Sequence, residues 1–262
     1  MFPPRIFHKL LPNSAALVLL LAFAAPVQAA SADSRAARQA VEAYKSGNYG
    51  QLFRLLRPFA EQGDATAQTG LGALYAEGRG VARNDKQAAA WFRKAAEQGN
   101  ADAQYNLGVL YYGGRGVARD DKQAAEWFRK AAEQGYTDAQ YNLGVLYAEG
   151  RGVRQDYKQA AAWYRKAAEQ GHIDAQSNLG VLYDNGQGVA RDYTQAAAWF
   201  RKAAEQGDAV AQYNLGAMYA EGRGIRQDLT QAAAWFRKVL AQPDTADNAA
   251  IKAKARAALK AV

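Results

Sequence analysis

Residues 100–135 read NADAQYNLGVLYYGGRGVARDDKQAAEWFRKAAEQG, and this stretch returns along the chain with a step of 36 residues. The tryptophans mark the step: Trp91, Trp127, Trp163, Trp199 and Trp235. So do Leu71-Gly72, Leu107-Gly108, Leu143-Gly144, Leu179-Gly180 and Leu215-Gly216, and so do the Gly-x-Gly pairs from Gly78/Gly80 to Gly222/Gly224. A fixed period in this range marks an architecture of stacked units, each too small to bury its own apolar face.

Within one unit the apolar spacing predicts two helices. Helix A runs near 65–77, where Ala67, Leu71, Leu74 and Tyr75 share a face. A glycine at Gly72 costs about 1 kcal/mol relative to Ala, so its return in every copy implies close packing against a neighbour. Gly78 then stops the helix. Helix B runs near 85–98. Asn84 with Gln87 opens it, as do Asp120/Gln123, Asp156/Gln159, Asp192/Gln195 and Asp228/Gln231. This is the pattern of a capping box, in which the first side chain takes a free N–H and the Gln reaches back. Ala88, Trp91, Phe92 and Ala95 form the expected buried stripe, while Arg93, Lys94 and Glu97 face water. Five Trp with the Leu and Tyr beside them are expected to supply the core that a chain without cysteine cannot staple.

The ends depart from the repeat, as the ends of a stack must. Residues 33–63 read as an N-terminal capping hairpin, turning at Ser46-Gly47-Asn48-Tyr49, with Leu52, Leu55, Leu56 and Phe59 inward. Five repeats follow over 64–99, 100–135, 136–171, 172–207 and 208–243. Residues 244–262 read as a C-terminal capping helix with Ile251, Ala255, Leu259 and Val262 on its inner side and Lys252, Lys254, Arg256 and Lys260 wet. The alternative for that helix is a basic membrane-surface segment; a stack end needs a cap, and its apolar side chains are few.

The first 29 residues have the pattern of a signal peptide. Arg5 and Lys9 precede a mostly apolar run from Leu10 to Ala25. Val27 and Ala29 are placed for cleavage after Ala29, with Ala30 as the alternative. An uncleaved anchor is disfavoured, because the run falls short of the ~20 apolar residues that span a bilayer. The expected location is therefore the periplasm or the exterior, with no stable membrane insertion once the leader is removed. The chain of 262 residues contains no Cys, which argues against a lipid anchor, disulfides and thiolate metal sites. The net charge of +8 falls to +6 without Arg5 and Lys9. Acids are interleaved with these bases, so no nucleic-acid face is expected.

The recurring string Ala-Gln-x-x-Leu-Gly-x-x-Tyr-x-x-Gly-x-Gly-Val, followed by Gln-Ala-Ala-x-Trp-Phe-Arg-Lys-Ala-Ala-Glu-Gln-Gly, closely resembles the Sel1-like repeat. That family is related to tetratricopeptide repeats but has a longer inter-helix loop, here Gly78 to Val81. Small departures occur: Gly70 stands where later copies carry Asn, Gln187 replaces the loop Arg, Ile225 replaces Val, Tyr164 replaces Phe, and Pro243 replaces the closing Gly. The resemblance implies an all-α, right-handed α-solenoid of stacked helical hairpins that acts as an adaptor. Its A helices would line a concave face that holds a protein or peptide partner, and exported bacterial members imply work in the cell envelope or at a host interface. By the same resemblance the concave face includes Asp102, Asp138 and Asp174, then Tyr105, Tyr141 and Tyr213. Val109, Val145 and Val181 lie one turn further on, and Tyr112 and Asp184 break the pattern. Tyr offers contact area and a hydrogen bond at low entropic cost, so these rings either bind a ligand or pack between repeats. Asn106, Asn142, Asn178 and Asn214 read as a structural ladder.

Nothing in the pattern points to catalysis, a cofactor or a metal, and a monomer is expected. The Gly-x-Gly loops join two helices and lack the remainder of a phosphate-binding fingerprint. His172, the only His after the leader, occupies a helix start that varies among copies, where a lone His cannot build a zinc site. Some cysteine-rich relatives in this family resemble β-lactamases or penicillin-binding enzymes in assigned activity, which makes that hydrolase the alternative function. A serine β-lactamase needs Ser-x-x-Lys. Ser31, Ser34, Ser46 and Ser177 all lack Lys three residues on.

Overall fold

The computed structural model describes residues 32–246 and 248–262. The expected leader lies outside the described residues, apart from which no described helix is long and apolar enough to cross a membrane. Thirteen α-helices and no strand occur among the described residues. They are α1 Ala32–Lys45, α2 Tyr49–Glu61, α3 Ala65–Glu77, α4 Asp85–Glu97, α5 Ala101–Gly113, α6 Asp121–Glu133, α7 Thr137–Glu149, α8 Tyr157–Glu169, α9 Ile173–Asn185, α10 Tyr193–Glu205, α11 Ala209–Glu221, α12 Leu229–Ala241 and α13 Ala249–Leu259. Consecutive helices pair as hairpins with the 36-residue step, so the fold is an all-α solenoid.

The chain packs as two compact units. One holds the described residues up to Ala139 together with Arg151–Val153. Its core gathers Leu52, Leu56, Leu71 and Leu74, then Phe92, Leu107 and Leu110. The other holds Gln140–Gly150 and Arg154–Val262. Its core runs through Phe200, Leu215 and Met218 to Phe236, Val239 and Ile251.

The ring after each Trp, Phe in four hairpins and Tyr164 in the third, is the most deeply buried. Phe92, Phe128, Phe200 and Phe236 are essentially inaccessible, whereas Trp91 and Trp163 are only half-buried. Each Trp lies at the border of the apolar stripe with the Lys three residues on stacked over its ring; Lys94 sits 4.4 Å from the Trp91 centroid and Lys238 3.7 Å from that of Trp235. Trp127, Trp199 and Trp235 are buried as expected, and Trp91 and Trp163 are the two that depart from that expectation. The Phe also accounts for the helix-A glycine. A Cβ on Gly108 would stand 2.7 Å from the Phe128 ring, and the other copies repeat that clash. The neighbour implied by the sequence is thus the ring of helix B in the same hairpin.

The two loop glycines have separate jobs. Gly78 ends α3 in the left-handed conformation at φ 69°, which a residue without Cβ adopts cheaply. Gly116 lies against the start of the preceding unit's helix B, where a Cβ would come within 2.0 Å of the Asp85 carbonyl oxygen. Gly188 meets Tyr157 in the same way. The loop is therefore an inter-repeat contact as well as a turn.

Caps follow the expected residues with one correction. Asn84, Asp120, Asp156, Asp192 and Asp228 each accept the backbone N–H of the Gln three residues on. The reciprocal half of the box is absent. The backbone N–H of each cap donates to a helix-A tyrosine carbonyl instead, as Asn84 does to Tyr75 and Asp228 to Tyr219. That bond closes the loop onto its own hairpin.

A buried glutamine ladder joins successive units. Gln104 donates to the Ala96 carbonyl and accepts from Gln134 at 2.7 Å; Gln176 does the same with Ala168 and Gln206. A buried amide left without such partners would cost ~1–3 kcal/mol, so the ladder fixes how each unit meets the next.

At the C-terminal end, α13 covers Phe236 and Val239 with Ile251 and Ala255. Two expectations about this helix are corrected. Val262 lies beyond the helix and is 38% exposed. Lys252 is buried, with its ammonium donating to the Gln242 carbonyl and to Asp244 Oδ1, 2.5 Å away. It ties the cap to the turn that Pro243 opens.

Candidate partner-binding groove

The A helices carry the residues that the resemblance places on a binding face, and the structure divides them. In the full chain Tyr105, Val109, Tyr112, Tyr141 and Val145 are buried. Asp102, Asp138, Asp174, Val181, Asp184 and Tyr213 keep part of their surface. Burial raises the carboxyl pKa of Asp102 and of Asp138 above the usual value, because the charged form loses hydration.

The buried rings are engaged in packing. Tyr105 stacks on Tyr136 with centroids 4.8 Å apart and tilts against Phe128 at 5.8 Å. Tyr141 stacks on His172 at 4.4 Å and tilts against Tyr164 at 5.8 Å. Both patterns place an A-helix Tyr over the aromatic ring of its own helix B and beside the residue that precedes the next helix A. Tyr213 likewise lies 5.7 Å from Phe236.

The residues that break the A-helix pattern are held by the loop Arg of the following unit. Arg151 lies over the Tyr112 ring at 4.3 Å and bonds its hydroxyl, while also pairing with Asp121 at 3.0 Å. Arg223 pairs with Asp184 at 2.6 Å. The same loop position gives Arg115 its contact with Asp85, whose carboxyl is held down to about 2, chiefly by hydrogen bonds from Arg83 and then Arg115. These arginines were not singled out from the sequence, although their return in four copies was visible there.

His172 caps α9. Its Nδ1 accepts the Ala175 N–H at 3.2 Å, a role that requires the neutral ring. Burial pushes its pKa down to about 4. Asp64, Asn100 and Asp208 do the same job at the equivalent positions. The variable helix-start position is thus a cap position that tolerates several acceptors.

The fourth unit differs. Ser177 stands where the second, third and fifth have Tyr105, Tyr141 and Tyr213. Its hydroxyl donates to Asp208 Oδ1 at 3.0 Å, and the same oxygen takes the Ala211 N–H at 2.6 Å. Around Ser177 opens a groove of about 880 Å³. Helices α9 and α11 form its sides, α13 and the turn before it close one end, and Phe200 lines it. Asp174, Val181, Asp184 and Tyr213 from the expected face all border it, together with Asn178, Asn214 and Lys254. The groove mixes apolar walls with convergent polar groups, as ligand sites do.

Catalytic chemistry has little to build on here. Asp208, which accepts the Ser177 hydroxyl, is occupied as a helix cap. Among the described residues, no group of three His, Asp or Glu side chains is placed to hold a metal ion.

A model of the Sel1 repeat matches residues 65–100, 101–136, 137–172, 173–208 and 209–242. The chain belongs to the Sel1 repeat family. Sel1 repeat proteins generally mediate protein–protein interaction, and the family is generally non-enzymatic. Among solved structures, a Sel1 repeat protein from Oxalobacter formigenes is 38% identical with a TM-score of 0.75, covering 79% of this chain and 86% of that one. A protective antigen present in uropathogenic Escherichia coli strains, displaying the same repeat fold, is 37% identical with a TM-score of 0.71. That alignment covers 87% of this chain and 45% of the antigen, so this chain spans less than half of it. No curated protein matches the chain.

Proposed function

We propose that this Sel1 repeat chain is an exported scaffold that holds a segment of a partner protein along its A-helix face, in the cell envelope or at a host interface. The groove around Ser177 carries the reading. It gathers Asp174, Val181, Asp184 and Tyr213 on the face that the resemblance assigns to partners, at positions where the copies disagree. Positions that the stack does not hold constant are the ones free to encode recognition.

Export rests on the pattern of the first 29 residues: a basic start, an apolar run and a small-residue cleavage site. A host-facing role is supported by likeness to the uropathogen antigen. The bound segment would lie in the groove between α9 and α11.

Crosslinking capture from the native envelope tests the proposal. Wild-type chain should retain a discrete protein partner, and the double replacement of Val181 and Tyr213 by Ala should lose it while helicity is kept. Equal capture by both would sink the groove assignment. Nitrocefin turnover that persists through repeated purification would favour the hydrolase instead.

A further inference from the structure

In the compact unit that holds Arg154–Val262, the bases are sorted by helix. The A helices α9 and α11 contain no Lys or Arg, whereas the B helices α8, α10 and α12 each carry an Arg-Lys pair, at 165–166, 201–202 and 237–238. With Lys158 on α8, the three B helices hold seven bases against two acids, Glu169 and Glu205. The exposed Lys158, Ala162, Lys166 and Glu169 fall at helical spacing, opposite the buried Ala160, Tyr164 and Ala167. Lys166, Lys202 and Lys238 lie over the rings of Trp163, Trp199 and Trp235 at 4.1, 4.2 and 3.7 Å, and among the described residues no ion pair ties them to an acid. Arg165 and Arg201 donate to the hydroxyls of Tyr183 and Tyr219, which are neutral, so their charge stands. At the loop end the cap acids Asp156, Asp192 and Asp228 are matched by Arg154, Arg191 and Arg226, so the excess stays on the helices. The repeats also join in one manner. Gln176 donates to the Ala168 carbonyl and Gln212 to the Ala204 carbonyl, both at 3.1 Å, and Gly188 and Gly224 press on the first residues of α8 and α10. The three basic stripes therefore follow one another on one side.

From this we infer that the B-helix face of this unit docks on an anionic lipid leaflet, leaving the groove between α9 and α11 free. Two observations favour lipid over a peptide. The Arg-Lys pair returns unchanged in every repeat, whereas the groove is built at positions where the copies disagree; a leaflet reads charge rather than sequence. Between the bases the stripes of α8 and α10 offer Ala162 and Ala198, and neither helix exposes a large apolar side chain of the kind that anchors a peptide in a pocket. The attachment is therefore electrostatic, made to headgroups, and screened by salt over about 8 Å at physiological ionic strength. It goes beyond the scaffold reading and does not depend on the groove.

Co-sedimentation of the full chain with vesicles tests this, using an equal mixture of phosphatidylcholine and phosphatidylglycerol beside phosphatidylcholine alone. The neutral vesicle accounts for uptake through the apolar run at 10–25. At physiological salt, wild type should bind the mixed vesicle at least tenfold more tightly, and about 1 M salt should abolish the difference. Ala162→Glu with Ala198→Glu sets in the row the acid that Glu126 holds at the same position of α6, so the fold accepts it. One charge near a leaflet changes binding about fivefold, and this double should weaken mixed-vesicle binding at least tenfold. Thr194→Lys with Thr230→Lys installs the residue found at Lys86, Lys122 and Lys158 and should strengthen it at least fivefold. Val210→Asp with Ala220→Asp adds the same charge as the glutamate double, but on an A helix, where Asp174 and Asp184 are the precedents. It should change binding less than threefold. Circular dichroism should show wild-type helicity throughout, and the lysine double decides if the glutamate double fails to fold. Equal binding of wild type to the two vesicles, or equal losses in the glutamate and aspartate doubles, overturns the inference. So does capture of soluble polyglutamate without vesicle binding, which would assign the face to an acidic protein.

Discussion

The second and fourth units are built on the same plan and differ at one decisive place. Both have thirteen-residue helices, a capped helix B, a Gly pressed against an aromatic ring and a glutamine joined to the preceding unit. In the second, Tyr105 fills the space above Phe128 and stacks on Tyr136. In the fourth, Ser177 takes that place, bonds Asp208 and borders a groove. The stack is therefore held by glycine fit, caps and the glutamine ladder, and the A-helix ring is an addition that a unit can omit. A solenoid whose stability is a sum over units and interfaces can give up one such ring locally and still stand.

Breaking what the two units share should have the largest effect. Gly116→Ala and Gly188→Ala each set a methyl against a carbonyl oxygen of the preceding helix, in a backbone conformation with φ near 69°. Each should lose more than about 3 kcal/mol and lower the urea midpoint alike. A mild effect at either would show that the loop contact is dispensable. Breaking what they do not share should separate them. Tyr105→Ala removes a buried ring and should cost about 3–5 kcal/mol, whereas Ser177→Ala loses one hydrogen bond and should cost about 1 kcal/mol. Equal losses would contradict the contrast.

A smaller effect is set by pH. His172 has its pKa depressed to about 4 by burial, from an ordinary value of 6.5. Its unfolded form binds the proton first as pH falls, so the stability contributed by the neutral cap is whole above pH 6.5. It is lost progressively down to about pH 4, with a ceiling of about 3 kcal/mol. His172→Asn keeps an acceptor for the Ala175 N–H and should flatten this dependence in denaturant melts between pH 4 and 6.5; an unchanged slope would show that another group titrates. The smallest effect concerns Tyr164, where other units carry Phe. Its hydroxyl is buried beside Asn178 without good hydrogen-bond geometry, and burial raises its pKa. Tyr164→Phe should shift stability by less than about 1 kcal/mol, in the stabilising direction if at all.

Much of this was legible before any coordinates. The helix pairs, the Gly78-type stops and the Asx caps follow from local spacing, because each acts within one hairpin. What escaped were contacts between hairpins. Gln104 recurs as faithfully as the tryptophans, yet nothing in a period of 36 reveals that its amide reaches back to the Ala96 carbonyl of the preceding hairpin. The loop arginines escaped for the same reason. Trp91 and Trp163 are only half-buried because the Trp position lies at the stripe's border, where a Lys roofs the ring. Lys252 was read as wet because its charge suggested water; the Gln242 carbonyl and Asp244 satisfy it instead. On the candidate site, Asp174, Val181 and Asp184 border one groove, but the place of Ser177 beside it depends on the ring contacts of its counterparts, which only the structure displays.

The central claim is that the A-helix face, and not the B-helix face, holds the partner. A photo-crosslinking side chain placed at Val210, on the groove rim, and another at Ala162, exposed on a B helix, test it in the native cell. The account predicts a discrete protein adduct from position 210 and none from position 162. An adduct from 162 alone, or from neither, would contradict it.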